Sequence, residues 1–377
     1  MNFELKKVSG IYFHIPFCRR VCGYCDFART ADMRRRDEVV GAMHRELHRR
    51  RDFLHNINIG TVYFGGGTPS VLPPAELQRM IDTAAECFDL SAVGECTAEA
   101  NPDDLTAQYI SELRRTSVNR LSIGIQSFDD GCLRMMNRRH TSAEAVDAVK
   151  RAQDAGFENI SVDLIFGVDG YGGEVLRHNI EQVVGLGVQH VSAYHLTVEP
   201  GTAFARRVAD GRMRIVDEEV SEAEYMAMHE ALEAAGFEHY EVSNYALPGR
   251  RSRHNSSYWS GAEYIGIGPG AHSFDGERRC WNAATVGEYL AGEGGGEERL
   301  TEQDRRNEMI MMSLRTVEGL DMQLFAERFG REAAMKTFER SESFLLAGSL
   351  VSDNGRLRIP AKKFLLSDSV IGSLFEA

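Results

Sequence analysis

The sequence is most informative at first for what it lacks. No stretch of the 377 residues approaches the run of about 18 consecutive apolar side chains that a membrane-crossing helix needs. The opening MNFELKKVSGIYFHI has two lysines, but neither a long apolar run nor a small-residue cleavage site follows, so it does not read as a signal peptide. The expected compartment is the cytoplasm. A basic excess is also missing: 43 Lys+Arg stand against 56 Asp+Glu, a net charge of −13, which argues against general nucleic-acid binding. Wholesale disorder is excluded by 43% apolar and 26% charged residues. A second cysteine knuckle is absent too. Of seven cysteines, Cys18, Cys22 and Cys25 lie within eight residues, and Cys87, Cys96, Cys132 and Cys280 are scattered without ligand-like spacing. The scattered four are expected to be small buried hydrophobes. A cytosolic chain keeps such thiols reduced.

What is present is a repeat of alternating elements. Short apolar runs at 10–15, 60–65, 95–100, 119–125, 159–165 and 189–195 are separated by amphipathic patterns at 34–54, 74–87, 104–116, 142–155 and 174–186. This alternation predicts βαβ units around a parallel sheet, an α/β fold. Six units fit an open, partial (β/α)6 barrel, with a doubly wound sheet as the alternative. Thr141-Ser142-Ala143-Glu144 offers an N-cap for one helix and Gly156 a left-handed stop. A further helix is expected over 217–235, stopped by Gly236. Ligands bind outside the carboxyl ends of strands in such folds. The Gly66-Gly67-Thr68 run, Glu99, Gln126, Asp163 and His195 all fall at or just after those ends.

From about residue 237 the pattern changes. A strand-like HYEVSNYA leads into RRSRHNSSYWSG and EYIGIGPGAHSF, and GEGGGEE at 292–298 has the composition of a flexible acidic linker. Beyond it, 302–316, 321–329 and 331–347 read as helices, and Asn354-Gly355 between alternating apolar residues predicts a hairpin. Three helices and a hairpin suggest a winged-helix-like module. Residues 301–377 hold 11 Lys+Arg against 12 Asp+Glu, which favours a structural or covering role over duplex binding. The expected segments are 1–236, a barrel; 237–291, an α+β extension; and 299–377, the winged-helix-like module.

Cys18, Cys22 and Cys25 form a C-x3-C-x2-C loop directly after the first predicted strand. Zinc sites usually complete four ligands with a second knuckle or histidines. Three thiolates in one short loop suit three irons of a [4Fe–4S] cluster, leaving one iron open for a chelating small molecule. Three buried thiols or a zinc site are the bland alternatives. With the Gly65-Gly66-Gly67 run after the second strand, the spacing resembles the radical S-adenosylmethionine (SAM) family. The resemblance implies that SAM chelates the open iron and is cleaved by an electron from the cluster to a 5′-deoxyadenosyl radical, with the protein supplying placement and shielding.

Five ordered motifs narrow the resemblance: Tyr12-Phe13-His14-Ile15-Pro16-Phe17-Cys18, the triple glycine, Ala98-Glu99-Ala100-Asn101-Pro102, Gly124-Ile125-Gln126-Ser127-Phe128 and Asp163-Leu164-Ile165-Phe166-Gly167. Together they are similar to the HemN/HemW group, and the similarity spans nearly the whole chain. It implies that Tyr12 and Tyr24 flank the cluster and SAM, and that Gly66, Gly67 and Thr68 contact the methionine end. Glu99 and Gln126 would face the nucleoside, Arg138 the carboxylate and Asp163 the ribose hydroxyls. Each residue has a plainer alternative as a cap, a loop hydrogen bond or a surface charge.

Within this group the dehydrogenase pattern continues as C-x3-C-x2-C-x-C. Here Phe27 stands at the extra cysteine position, and only 17 residues precede Cys18, too few for the dehydrogenase's N-terminal extension. Both departures point away from the coproporphyrinogen III dehydrogenase and toward the haem-chaperone branch. His254-Asn255-Ser256-Ser257-Tyr258-Trp259 fits the H-N-x-x-Y-W pattern of that branch. Imidazole is the usual haem iron ligand, Tyr258 and Trp259 could cover the porphyrin face, and Arg250, Arg251 or Arg253 could meet propionates. The alternative is a packing motif, with His14, His195 and His272 as rival ligands. The resemblance implies a [4Fe–4S] cluster, SAM and haem as cofactors. It implies as partners acceptor apo-haemoproteins and an electron donor, with peripheral membrane contact arising through haemoprotein clients.

Overall fold

The computed structural model describes residues 8–376, so Lys6 and Lys7 of the opening segment lie outside the described residues. The first half runs β1 (Ser9–Ile15), α1 (Arg36–Arg49), β2 (Ile59–Gly66), α2 (Pro74–Cys87), β3 (Glu95–Ala100), α3 (Ala107–Leu113), β4 (Arg120–Gln126), α4 (Asp130–Met135), α5 (Ser142–Asp154), β5 (Ile160–Phe166), α6 (Glu174–Leu186) and β6 (His190–His195). Strands β1 to β6 are hydrogen-bonded neighbours in sequential order, each pair parallel. Sequential order is that of the predicted (β/α)6 partial barrel. A doubly wound sheet would reverse direction at a switch point.

The strands are buried on both faces, as a helix-covered parallel sheet requires. In β1, Ile11, Phe13 and Ile15 fill the core beneath the helices, with Phe13 stacked on Phe64 at 4.7 Å. Tyr12 and His14 alternate onto the opposite face, where the sites lie. The expected cap on α5 is a full capping box between Thr141 and Glu144, and Gly156 closes it at φ +88°. Two helices are shorter than their amphipathic patterns: α1 ends at Arg49, and a 3-10 turn at Pro102–Asp104 takes the start of the 104–116 stretch.

The second half continues through α7 (Ala203–Ala209), α8 (Glu218–Ala234), β7 (Glu238–Glu241), β8 (Asn244–Ala246), α9 (Arg253–Trp259), β9 (Tyr264–Ile267), β10 (His272–Phe274), β11 (Arg278–Trp281), α10 (Val286–Ala291) and β12 (Gly296–Arg299). All of its strands join the same sheet, in the order β12-β11-β10-β9-β1-β2-β3-β4-β5-β6-β8-β7. Two expectations are corrected. HYEVSNYA is a hairpin, β7 and β8, because the chain reverses at Val242-Ser243 and β8 lies antiparallel to β6. The acidic stretch 292–298 is not a linker over its whole length. Its second half is β12, paired antiparallel to β11, where Gly296 lets the backbone pass close to the Trp281 ring.

The C-terminal module comprises α11 (Glu302–Leu314), β13 (Leu320–Asp321), α12 (Met322–Phe329), α13 (Arg331–Leu346), β14 (Val351–Asp353), β15 (Arg356–Arg358) and α14 (Ser367–Leu374). Its small sheet has the order β13-β15-β14, and Asn354 and Gly355 both take positive φ in the predicted hairpin turn. No helix among the described residues is long and apolar enough to cross a membrane.

Candidate functional site

The cysteine loop leaves β1 and is tied down at several points. Cys18 N–H donates to Thr30 O, Gly23 N–H to Met136 O, and Phe204 N–H at the start of α7 to Gly23 O. Asn137, left-handed at φ +63° after α4, donates Nδ2–H to Val21 O at 2.7 Å. The loop is thus positioned by backbone and by two distant helix ends. All three cysteines are free of disulfides and line one cavity of about 400 Å³. Gly66, Gly67, Thr68, Glu99, Gln126, Arg138, Asp163 and Tyr24 line the same cavity. The structure therefore brings together every residue expected around the cluster and SAM except Tyr12. The side chain of Tyr12, bonded to His14 Nδ1 at 3.1 Å, lines a second cavity instead.

A polar chain runs along the wall beside the thiols. Arg138 donates to Asn101 Oδ1 at 2.6 Å and to Gly124 O. Asn101 Nδ2–H donates to Thr68 Oγ1, and Thr68 O–H donates to Cys18 Sγ at 3.3 Å. Arg138 also reaches Cys22 Sγ at 3.4 Å, while its Nε is buried without a partner. Burial pushes the Cys18 thiol up to about 11 and raises Cys25, so loading a metal here must release protons. Among the described residues no three His, Cys, Asp or Glu side chains already surround one point in metal-ligand geometry. The cavity wall nevertheless offers three sulfur donors from one loop, no second cysteine pair, and donors directed at two of the sulfurs. This set fits an iron–sulfur cluster with one open iron better than a closed tetrahedral zinc site.

Two carboxylates, Glu99 and Asp163, line the same cavity. Glu99 accepts from Tyr63 O–H at 2.8 Å, and burial followed by the charge of Asp163 pushes it up to about 7. Asp163 accepts from Ser122 O–H at 3.3 Å and is raised by burial to about 6. Both carboxyls therefore take up a proton more readily than an ordinary carboxylate does. Gln126 is the most strained residue here. It is a non-glycine at φ +72°, at a bulge where β4 slips against β5, and the bulge turns its side chain to the cavity. The glycines have a packing reason as well. A Cβ on Gly66, at φ +101°, would lie 2.6 Å from the His14 ring, and one on Gly67 2.8 Å from Ile15 O.

Sequence reasoning passed over Asn101, Tyr63 and Ser122. Asn101 stood inside the quoted Glu99-Ala100-Asn101-Pro102 motif, and Tyr63 shares a strand face with Gly65, which the period of two could have shown. The scattered cysteines divide. Cys96 and Cys132 are buried as expected, whereas Cys87 and Cys280 are only half-buried, near His48 and Glu297 respectively.

The H-N-x-x-Y-W segment splits in two. It forms α9, in which His254 is 1% exposed and packs against Tyr63 at 4.9 Å. Its Nδ1 is bonded to Thr61 Oγ1 and its Nε2 to Tyr258 O–H, both at 2.8 Å. Neither nitrogen is open to a haem iron in this conformation, which is the packing alternative raised above. Asn255 donates its backbone N–H to Ser252 Oγ as part of the helix cap. Arg251 is ion-paired with Glu238 and Glu318, and Arg251 and Arg253 line a different cleft, while Arg250 is exposed. Only Tyr258 and Trp259 of this segment reach the second cavity.

With this geometry in view, the similarities to known proteins fall into place. Residues 12–183 match the radical SAM superfamily model and residues 300–366 the HemN C-terminal domain. The fold is that of the Escherichia coli coproporphyrinogen III oxidase HemN, at a TM-score of 0.85 and 20% identity over 98% of this chain and 91% of that one. These features define a radical SAM protein of HemN type. The chain is 34% identical to the haem chaperone HemW of Lactococcus lactis, over 97% of each chain. It is 36% identical to HemW of Mycobacterium tuberculosis, over 97% of this chain and 94% of the relative. It belongs to the HemW haem-chaperone family of the radical SAM superfamily.

Proposed function

We propose that the chain holds a [4Fe–4S] cluster on Cys18, Cys22 and Cys25, binds SAM beside it, and carries haem to acceptor apo-haemoproteins. The observation that carries this reading is the shared cavity, where three free thiols from one loop face two carboxylates, a glutamine and a buried guanidinium. When bound, the cluster with SAM on its open iron supplies the one-electron chemistry of the superfamily. The chain's own residues do the rest. Gly66, Gly67 and Thr68 present backbone to the methionine end, and Arg138 neutralises a carboxylate with a fixed fork. Glu99 and Asp163 meet nucleoside polar groups, Gln126 is turned to the same side, and Tyr24 closes the cysteine end.

The haem reading comes from the HemW relatives and from Phe27, which occupies the position of the dehydrogenase's extra cysteine. An external electron donor, cytoplasmic location and membrane contact through haemoprotein clients complete the proposal. So does a division into segments 1–236, 237–291 and 299–377, the middle one supplying strands on both sides of β1–β6. The test is anaerobic reconstitution, followed by haem titration with and without SAM and incubation of the reduced protein with coproporphyrinogen III. About four irons per chain, haem binding and no protoporphyrinogen IX are expected. Porphyrinogen turnover would restore the dehydrogenase reading.

A further inference from the structure

The second cavity, about 490 Å³, lies between the β1/β9/β10 face and α11 of the C-terminal module. Its floor follows from strand alternation. Tyr12 and His14 project from one face of β1, Tyr264 comes from β9, and His272 and Phe274 from one face of β10. Its roof is Tyr258 and Trp259 at the end of α9, with Glu308, Met311 and Met312 spaced three and four apart on α11. The volume is within the range of small-molecule sites, and the lining is mostly aromatic and thioether.

The four candidate histidines differ in how their rings are committed. His254 has both nitrogens bonded in the core. His14 is bonded to Tyr12 and to Ala28 O at 2.7 Å, and His195 Nε2 to Ser221 Oγ at 3.0 Å. His272 is exposed on the cavity wall, its ring parallel to within 30° of Trp281 at 6.2 Å, and neither of its nitrogens makes a hydrogen bond among the described residues. Burial and then Arg279 lower its proton affinity. Trp259, which lines this cavity and two neighbouring clefts, has its Nε1 buried with no hydrogen-bond partner. Arg279, paired with Glu308 at 2.6 Å, is the one Lys or Arg of the described residues lining this cavity.

Resting on the haem-carrier reading above, we propose that the haem seat is this cavity, with His272 as the iron ligand in place of His254. The imidazole lone pair is donated to iron, with no change of oxidation state required. Tyr258, Tyr264 and Phe274 lie along the porphyrin, the Met311 and Met312 thioethers face it from α11, and Arg279 and Trp259 Nε1–H receive carboxylates. Phe27, 64% exposed, lines both cavities, so the seat adjoins the SAM cavity across a single side chain.

The experiment is haem titration of the reconstituted full chain, read by the Soret band and dissociation constant, for wild type and for His272→Ala, His195→Ala and His254→Gln. His272→Ala is expected to shift the Soret band and weaken haem binding at least tenfold, with millimolar imidazole restoring the spectrum and iron content unchanged. His195→Ala and His254→Gln are expected to keep the wild-type Soret position. Haem binding by wild type with an unaltered His272→Ala spectrum and affinity overturns the seat. So does a Soret shift confined to His195→Ala or His254→Gln. No haem binding by wild type overturns the haem-carrier reading itself.

Discussion

Glu99 offers a test in which the sign, the pH window and the size of an effect all come from its surroundings. Its carboxyl has an ordinary value of 4.5 and stands at about 7 in the fold, chiefly because burial disfavours the anion. The folded chain therefore binds a proton that the unfolded chain releases between these two values. Stability falls as pH rises through that window and is lowest, with respect to this group, above pH 7. Two and a half pH units correspond to about 3 kcal/mol. Water in the open cavity reduces this, so about 1–3 kcal/mol is expected. Glu99→Gln keeps the shape and removes the charge. In the cluster-free protein the variant should gain about 1–3 kcal/mol on wild type at pH 8 and much less at pH 5, measured by urea unfolding at both values. An equal difference at pH 5 and pH 8 would refute the assignment of the buried charge. The charge of Asp163 adds to the upward shift of Glu99, so the Glu99 transition also depends on whether Asp163 is ionised.

The other predictions concern the loop, the glycine run and α9. Replacing any one of Cys18, Cys22 or Cys25 by Ala should abolish the reconstituted cluster absorbance, and replacing Cys87, Cys96, Cys132 or Cys280 should not, as iron analysis will show. Gly66→Ala should lower stability by at least about 2 kcal/mol, from a strained backbone and the collision with His14, and so lower both the melting temperature and iron uptake. His254→Ala should cost about 3–5 kcal/mol, because it empties a packed site and orphans Thr61 Oγ1 and Tyr258 O–H. An unchanged melting temperature in that variant would contradict the packing role.

Much of the architecture was legible because the strand and helix periods are clean. Every expected strand of the parallel half is present, the Thr141 cap forms, and Asn354-Gly355 makes its turn. The residues at strand ends were legible for the same reason, since a parallel sheet aligns its carboxyl ends. What local pattern does not carry is which side of the sheet a neighbouring strand covers. The resemblance set Tyr12 beside the cluster and SAM, whereas its side chain lines the second cavity, on the β1 strand that β9 joins. The same limit applies to His254. A helix places residues four apart on one face, so the histidine meets Tyr258, but only tertiary packing decides that Thr61 takes its other nitrogen. Glycine-rich GEGGGEE has linker composition, and its strand forms only because β11, the strand before it in the chain, offers a free edge to pair with.

That acidic stretch has a consequence for how copies of the molecule meet. β12 is an outer strand of a twelve-stranded sheet and so displays backbone groups able to template another strand. Glu297, Glu298 and Arg299 on it are exposed. Two such borders brought side by side would bring exposed glutamates together in a chain whose net charge is already −13. Gly296 lets the strand pass close to Trp281, and exposed charge on an edge strand disfavours its extension by a neighbour. A run that resembles a tether in composition thus acts as a guard rail against sheet-to-sheet polymerisation.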